Sequence, residues 1–369
     1  MILINPENKY AHYDKIVETH KIRSFKNLLD IITINDNIDL RENFIFRGVK
    51  NAKYDLIPSA LRTNNNNNIN EYISDSEFNF NLIKQLTITD WNGKEKTGIL
   101  NTSIDKNKQP LLKKSKNTIN SDGELQFKKE VHVLLNFLNY ADRIGLKIPS
   151  NTTIRQWMHN SLEYTNDKEV WPKPEFYEII SLAQHHNLPT RALDWSYDYK
   201  VALFFAVEDI LDNREDDCVL WAFNYKLFEE KNITKKNINE DGLIIYRPEY
   251  NTNPNLNAQK GIFTFWASNN YLNMNDNTPF DKIITKNIIK MPSNTSDKIR
   301  FYFNGTTYEM SSEEKIFHKF IISGKLKAKI LKELYLEEYS HEKIYPNYYG
   351  VVNSIKNRVK LEQIISNEK

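Results

Sequence analysis

Residues able to do chemistry crowd into one stretch, Gln184 to Asp209, which reads QHHNLPTRALDWSYDYKVALFFAVED. Two adjacent histidines, His185 and His186, open it. Thr190 and Arg191 follow a proline, and Asp194, Trp195 and Ser196 form a polar, aromatic triplet. The apolar run from Val201 to Val207 contains no glycine or proline, which predicts a buried helix. Asp198 stands where its N-cap is needed. The polar residues would then form a loop at the mouth of that helix, where outward N–H groups favour an anion. A phosphate-bearing ligand fits such a mouth, and so does an ordinary loop that caps its own helix.

Two more polar clusters stand beside predicted strands. Phe44-Ile45-Phe46 predicts a short strand that delivers Arg47 and Gly48 at its end. An arginine there can grip a phosphate or carboxylate with two parallel hydrogen bonds, or pair with a structural acid. Gln259 and Gly261 precede the β-rich run Ile262-Phe263-Thr264-Phe265-Trp266, so Gln259 is presented much as Arg47 is. Cys218, among Val219, Leu220 and Trp221, reads as a core residue.

The elements that must position these residues follow from periodicity. Apolar spacing predicts helices over Ile22–Ile32, over Leu125–Leu138 with Gly145 and Pro149 ending it, over Glu175–Gln184, and over Leu326–Tyr339. Strands are expected at Cys218–Phe223, Gly242–Tyr246, Ile262–Trp266 and Ile316–Ile322. Ser268 to Ile316 reads as irregular. Residues 63–122 read as a polar, flexible insertion with a short helix at Glu77–Leu86. This pattern predicts a mixed α+β fold, a central twisted sheet flanked by helices, in a single domain over 1–369.

Composition narrows the class. Fifty basic and 48 acidic residues leave a formal charge of +2, too balanced for a strong non-specific nucleic-acid or membrane binder. A single cysteine excludes an intramolecular disulfide framework and a cysteine metal cluster, and fits the cytoplasm. The opening MILINPENKYAHYDK lacks a basic region followed by an apolar run, so no signal peptide is expected, and no stretch is apolar enough to span a membrane.

Taken together, several motifs resemble the FRG domain. They are Phe46-Arg47-Gly48, Tyr54 with Pro58-Ser59 and Arg62, Gln184 through Arg191 with Leu193-Asp194-Trp195, Ala202 with Phe205-Ala206, and Gln259-Lys260-Gly261-Ile262-Phe263. The C-terminal strand, helix and Tyr345-Pro346 are similar too, so the resemblance runs from about Ile22 to Asn357. Asn187 stands where the family tends to have glycine, and Ala192 replaces a bulkier apolar residue. The resemblance implies a bacterial or phage-defence setting. More distantly, the motif order is similar to the ADP-ribosyltransferase superfamily, which uses NAD as co-substrate.

That likeness implies roles. Arg47, with Gly48, would grip NAD. Thr190, Arg191, Asp194 and Ser196 would orient it, and Gln259 would stand in the late-loop position. Trp195 or Phe263 could stack on nicotinamide. Because Gln259 is not an acid, Glu178 or Glu130 would complete the site, or His185 or His186 would act as base. The implied activity is transfer of ADP-ribose to a macromolecule, RNA or DNA before protein, by a toxin or defence effector that a neutralising antitoxin protein would restrain. The segment at 92–120, with Trp91, could lie against single-stranded nucleic acid or be a plain loop. A module that senses nucleotides or nucleic acids without turnover is the alternative. A metal hydrolase on His185, His186 and Asp194 is weaker, since adjacent histidines point apart, and no metal is expected.

Overall fold

The computed structural model describes residues 13–34, 39–62, 68–73, 86–89, 95–98, 122–149, 152–159, 170–212, 215–230, 242–268, 276–287, 289–291, 298–303, 306–311 and 314–367. The chain divides into two compact units. One comprises 1–57, 192–267 and 278–369, the other 58–191 and 268–277.

The first unit is built on a mixed sheet of seven strands: β1 (Val17–Ile22), β2 (Ile45–Val49), β3 (Leu193–Ser196), β4 (Cys218–Phe223), β5 (Gly242–Tyr246), β6 (Gly261–Ala267) and β7 (Phe317–Ile322). Their spatial order is β1-β7-β4-β2-β3-β6-β5. Only β1 and β7 run parallel; the other neighbours are antiparallel. Side chains alternate across the strands, so both faces are buried. Phe46, Leu220, Ala222, Phe320 and Ile322 pack on one face with helices α1 (Phe25–Ile34), α4 (Tyr199–Val207), α7 (Gly324–Leu336) and α8 (Tyr348–Asn367). Ile45, Trp195, Val219, Trp221, Phe223 and Phe317 pack on the other with α6 (Phe280–Asn287). A short helix, α5 (Pro254–Ala258), leads into β6.

The second unit holds the long amphipathic α2 (Asp122–Arg143) and α3 (Tyr177–His185). Phe127, Trp171 and Phe176 form an edge-on aromatic stack in its core. Among the described residues no helix is long and apolar enough to cross a membrane.

The α+β expectation holds: a central mixed sheet is flanked by helices. Three local expectations are corrected. Ile22 closes a strand, and the helix expected from it begins at Phe25. VETHKI hides its strand character because only its ends are buried. The polar Asp194-Trp195-Ser196 triplet is a strand, not a loop: Leu193 and Trp195 point into the core while Asp194 remains exposed. The irregular stretch after Ser268 contains α6 and a three-stranded antiparallel sheet of Ile289–Met291, Lys298–Phe303 and Thr306–Ser311. Within the expected insertion, Leu86–Thr89 pairs antiparallel with Glu95–Gly98. The helix expected at Glu77–Leu86 otherwise lies outside the described residues, as does nearly all of 92–120.

Candidate functional site

Glycine 48 sets the position of Arg47. A Cβ on Gly48 would overlap the Ala202 carbonyl oxygen and lie 2.6 Å from the Ala206 nitrogen. Strand β2 can therefore lie this close to α4 only with glycine there. Adjacent strand residues project to opposite faces, so Arg47 points away from α4. Strand β2 pairs with β3 only through Phe46 and Ser196, whereas β3 continues along β6 over four residue pairs. Arg47 lies where β2 and β3 part. Its Nη1 donates to the Asp194 backbone oxygen at 2.6 Å and to the Asp194 carboxylate. The arginine side chain is 14 % exposed and the aspartate 52 %, so a largely covered cation sits behind an open carboxylate.

Ser196 joins the third cluster to this corner. Its hydroxyl donates to the Gln259 backbone oxygen at 2.7 Å and accepts from the Asp198 amide at 2.9 Å. Gln259 caps the C-terminus of α5, and Lys260 follows with φ +48°, a left-handed conformation that strains a residue with a side chain. That strain accompanies a specific contact: Lys260 Nζ donates to Asp198 Oδ2 at 2.9 Å, beside the Tyr339 hydroxyl at 2.8 Å. The other Asp198 oxygen accepts from the Lys200 amide at 3.0 Å, capping α4. Burial pushes the Asp198 carboxyl up, but the Lys260 and Tyr339 hydrogen bonds and the Lys260 charge outweigh it and hold the group below its ordinary value. The anion expected at the start of α4 is thus the chain's own carboxylate.

The Gln259 amide turns the other way and donates to the Ile344 carbonyl at 3.3 Å. The next residue, Tyr345, has its ring 6.3 Å from that of Phe205. Burial raises its phenol pKa, and the negative charges of Glu208 and Asp194 act in the same direction. Glu208 pairs with Lys50 at 2.9 Å and lies 3.6 Å from His341 Nε2. Arg47, Asp194, Ser196, Gln259 and Tyr345 thus form one connected corner. Tyr345 and Lys50 were missed as site residues from sequence. Tyr345 stood out only within a motif, and Lys50 gave no signal beyond lying three residues past Arg47.

Trp195 and Phe263 do not offer open stacking faces. Trp195 donates from Nε1 to Thr264 Oγ1 at 2.9 Å, and its ring packs against Phe223 and Phe280. Phe263 is 2 % exposed. Cys218 is buried, with its thiol pushed up to about 12 by burial, which fits a core residue.

The remaining expected site residues belong to the second unit. Thr190 donates from Oγ1 to Gln184 Oε1 at 2.7 Å and from its amide to Ser59 Oγ at 3.1 Å. Arg191 donates from Nε and Nη2 to Glu130 at 3.0 and 2.7 Å, and Trp171 Nε1 donates to the same carboxylate at 2.8 Å. Both charges are buried, so Arg191 and Glu130 tie α2 to the chain leaving α3. Glu178 lies in the first turn of α3. His185 ends α3 and His186 caps it, their rings edge to face at 5.4 Å. Asn187 follows at φ +61°. Its amide donates to Gln184 O and that of Leu188 to Ala183 O, a Schellman closure that favours glycine at residue 187. Asn187 is thus a tolerable stand-in for the family's glycine.

The family model of the FRG domain matches residues 42–215. No curated protein and no solved structure matches the chain. Arg47, Gly48 and the whole of Gln184 to Ser196 fall within the matched range, while Gln259 and Tyr345 lie beyond it. On that match, and on the geometry that its motifs build around Gly48 and Asn187, residues 42–215 of the chain are an FRG domain.

Proposed function

We propose that this FRG-domain protein is an NAD-dependent ADP-ribosyltransferase, a toxin or phage-defence effector whose acceptor is a macromolecule, nucleic acid before protein. One observation carries the reading: two diverging strands bring a largely covered guanidinium and an open carboxylate into contact, with Ser196 and Gln259 alongside. The chemistry asks for such a pair. The bond between nicotinamide nitrogen and ribose breaks, the nitrogen keeps the electron pair, and the sugar carbon becomes cationic. The acceptor's nucleophile then bonds to that carbon, and its proton must pass to a base.

Arg47 suits the pyrophosphate. Among the described residues only its Nη1 is engaged, which leaves Nε and Nη2 for phosphate oxygens. The Asp194 carboxylate suits the cationic carbon and is the base this reading assigns to the acceptor's proton. That role moves from His185, His186 and Glu178 to a residue in the same unit as Arg47. A neutralising antitoxin protein is the partner that a toxin of this kind requires.

The test uses NAD labelled in its adenylate half, added with cell extract. The labelled product is then digested separately with RNase, DNase and protease. Label released by a nuclease and absent with Arg47→Ala supports the reading. NAD binding without any transfer marks instead a nucleotide-sensing module. Arg47 already balanced by Asp194, and α4 already capped by Asp198, are the observations that favour that second reading.

A further inference from the structure

Far from the Arg47 corner, strand pairing assembles a second group of ligating side chains. Glu18 and His20 lie two residues apart on β1, hence on one face of the strand. The parallel register places His318 of β7 directly opposite Glu18. His20 Nε2 and His318 Nδ1 are 3.1 Å apart, and Glu18 Oε2 lies 3.9 Å from the first and 3.5 Å from the second. An ion in the plane of these three atoms and equidistant from them would lie about 2 Å from each, the usual Zn–N and Zn–O distance.

We infer that Glu18, His20 and His318 form a Zn²⁺ site that clamps the edge strand β1 onto β7. Two imidazoles and one carboxylate match the borderline-soft character of zinc and leave a fourth position for water. The site is built rather than incidental. His318 is 3 % exposed, with the Phe44 ring edge-on to it at 5.1 Å and the Phe320 ring 6.1 Å away. His20 packs on Phe320 at 4.9 Å, so one phenylalanine holds both imidazoles. Glu18 is the most exposed of the three. Without zinc, the two facing nitrogens are at hydrogen-bond distance. On binding, the ring that donates moves its proton to its other nitrogen, and one N–H···N bond gives way to two N–Zn bonds. In the sheet order three strand spacings separate β1 from β2, on the order of 14 Å, so the clamp does not depend on the proposed transferase reading.

The experiment titrates ZnCl₂ into EDTA-treated full-length chain by calorimetry and follows the unfolding midpoint. One equivalent bound at micromolar Kd or tighter, with a rise in midpoint, is expected. His20→Gln and Glu18→Gln should weaken binding at least a hundredfold and tenfold respectively. Both side chains are more open than His318, so these variants are expected to fold, and their metal-free midpoints confirm it. Co²⁺ in place of Zn²⁺ should give visible absorption bands of a four-coordinate site that His20→Gln abolishes. No binding at 100 µM metal, affinity unchanged in His20→Gln, or affinity lost instead in a His185→Ala/His186→Ala variant would overturn the assignment.

Discussion

Arg47 carries a charge that Asp194 already balances, and this bears on how each residue responds to substitution. If Asp194 competes with pyrophosphate for the guanidinium, Asp194→Asn should tighten NAD binding several-fold while removing turnover. Calorimetry and a nicotinamide assay on the same preparation separate the two effects, and weaker binding would count against the competition. Asp198 offers a pH test. Its folded-state pKa lies below the unfolded value, so its contribution is complete above the ordinary carboxylate range near 4 and is lost as pH falls through the folded value. Asn caps a helix about as well as Asp, so Asp198→Asn removes mainly the charge. The variant should be less stable by roughly 1 kcal/mol at pH 7, Lys260 being too exposed for more. The gap should close at acid pH, as urea midpoints would reveal; a gap that widens on acidification contradicts the assignment. Asn187 is the third residue-scale case. Asn187→Gly should be neutral or mildly stabilising, and Asn187→Val destabilising by about 1–2 kcal/mol, since a β-branched residue resists the left-handed conformation.

At the scale of elements, two contacts decide whether the motifs are in place. The first is β2 against α4. Gly48→Ala sets a methyl group against helix backbone, which cannot rotate aside. A loss of at least about 1–3 kcal/mol is expected in thermal or denaturant unfolding, the range for overpacking. A stable, active Gly48→Ala chain would mean that the strand and helix are not so close. The second is α2 held to Arg191 through Glu130. Breaking a buried ion pair on one side leaves the other charge stranded, so Glu130→Gln should cost about 3–5 kcal/mol. Arg191 in this role reads as structural. From sequence alone it looked like a ligand contact, because nothing local marks a partner 61 residues away. The helix of Val201–Val207 and its Asp198 cap were legible, since cap and apolar run are adjacent in sequence. Strand β3 was not: Leu193-Asp194-Trp195-Ser196 is four residues long and has too little alternation to announce itself.

Over the whole molecule, sequence conveyed the mixed α+β class and several central strands, because strands buried on both faces leave continuous apolar runs such as Cys218–Phe223. It did not convey β1, an edge strand whose middle is polar, and so gave no hint that Glu18 and His318 are neighbours. Register across 300 residues of chain is set by how the core packs, not by any local pattern. The Arg47 corner was partly legible for the same reason in reverse. Its members are polar residues beside apolar runs, yet their partners, Asp194 for Arg47 and the Ile344 carbonyl for Gln259, follow from the folded sheet. Trp195 shows the limit: its type suggested a stacking surface, and the fold uses it as core.

The central claim is that this corner binds NAD and breaks its nicotinamide bond. The most direct measurement is nicotinamide formed from NAD by the purified full-length chain and by Arg47→Ala, each checked for an equal unfolding midpoint. The account predicts release by the native chain and at least a hundredfold less from Arg47→Ala. Equal release from both, or none from either at any NAD concentration up to millimolar, would contradict it.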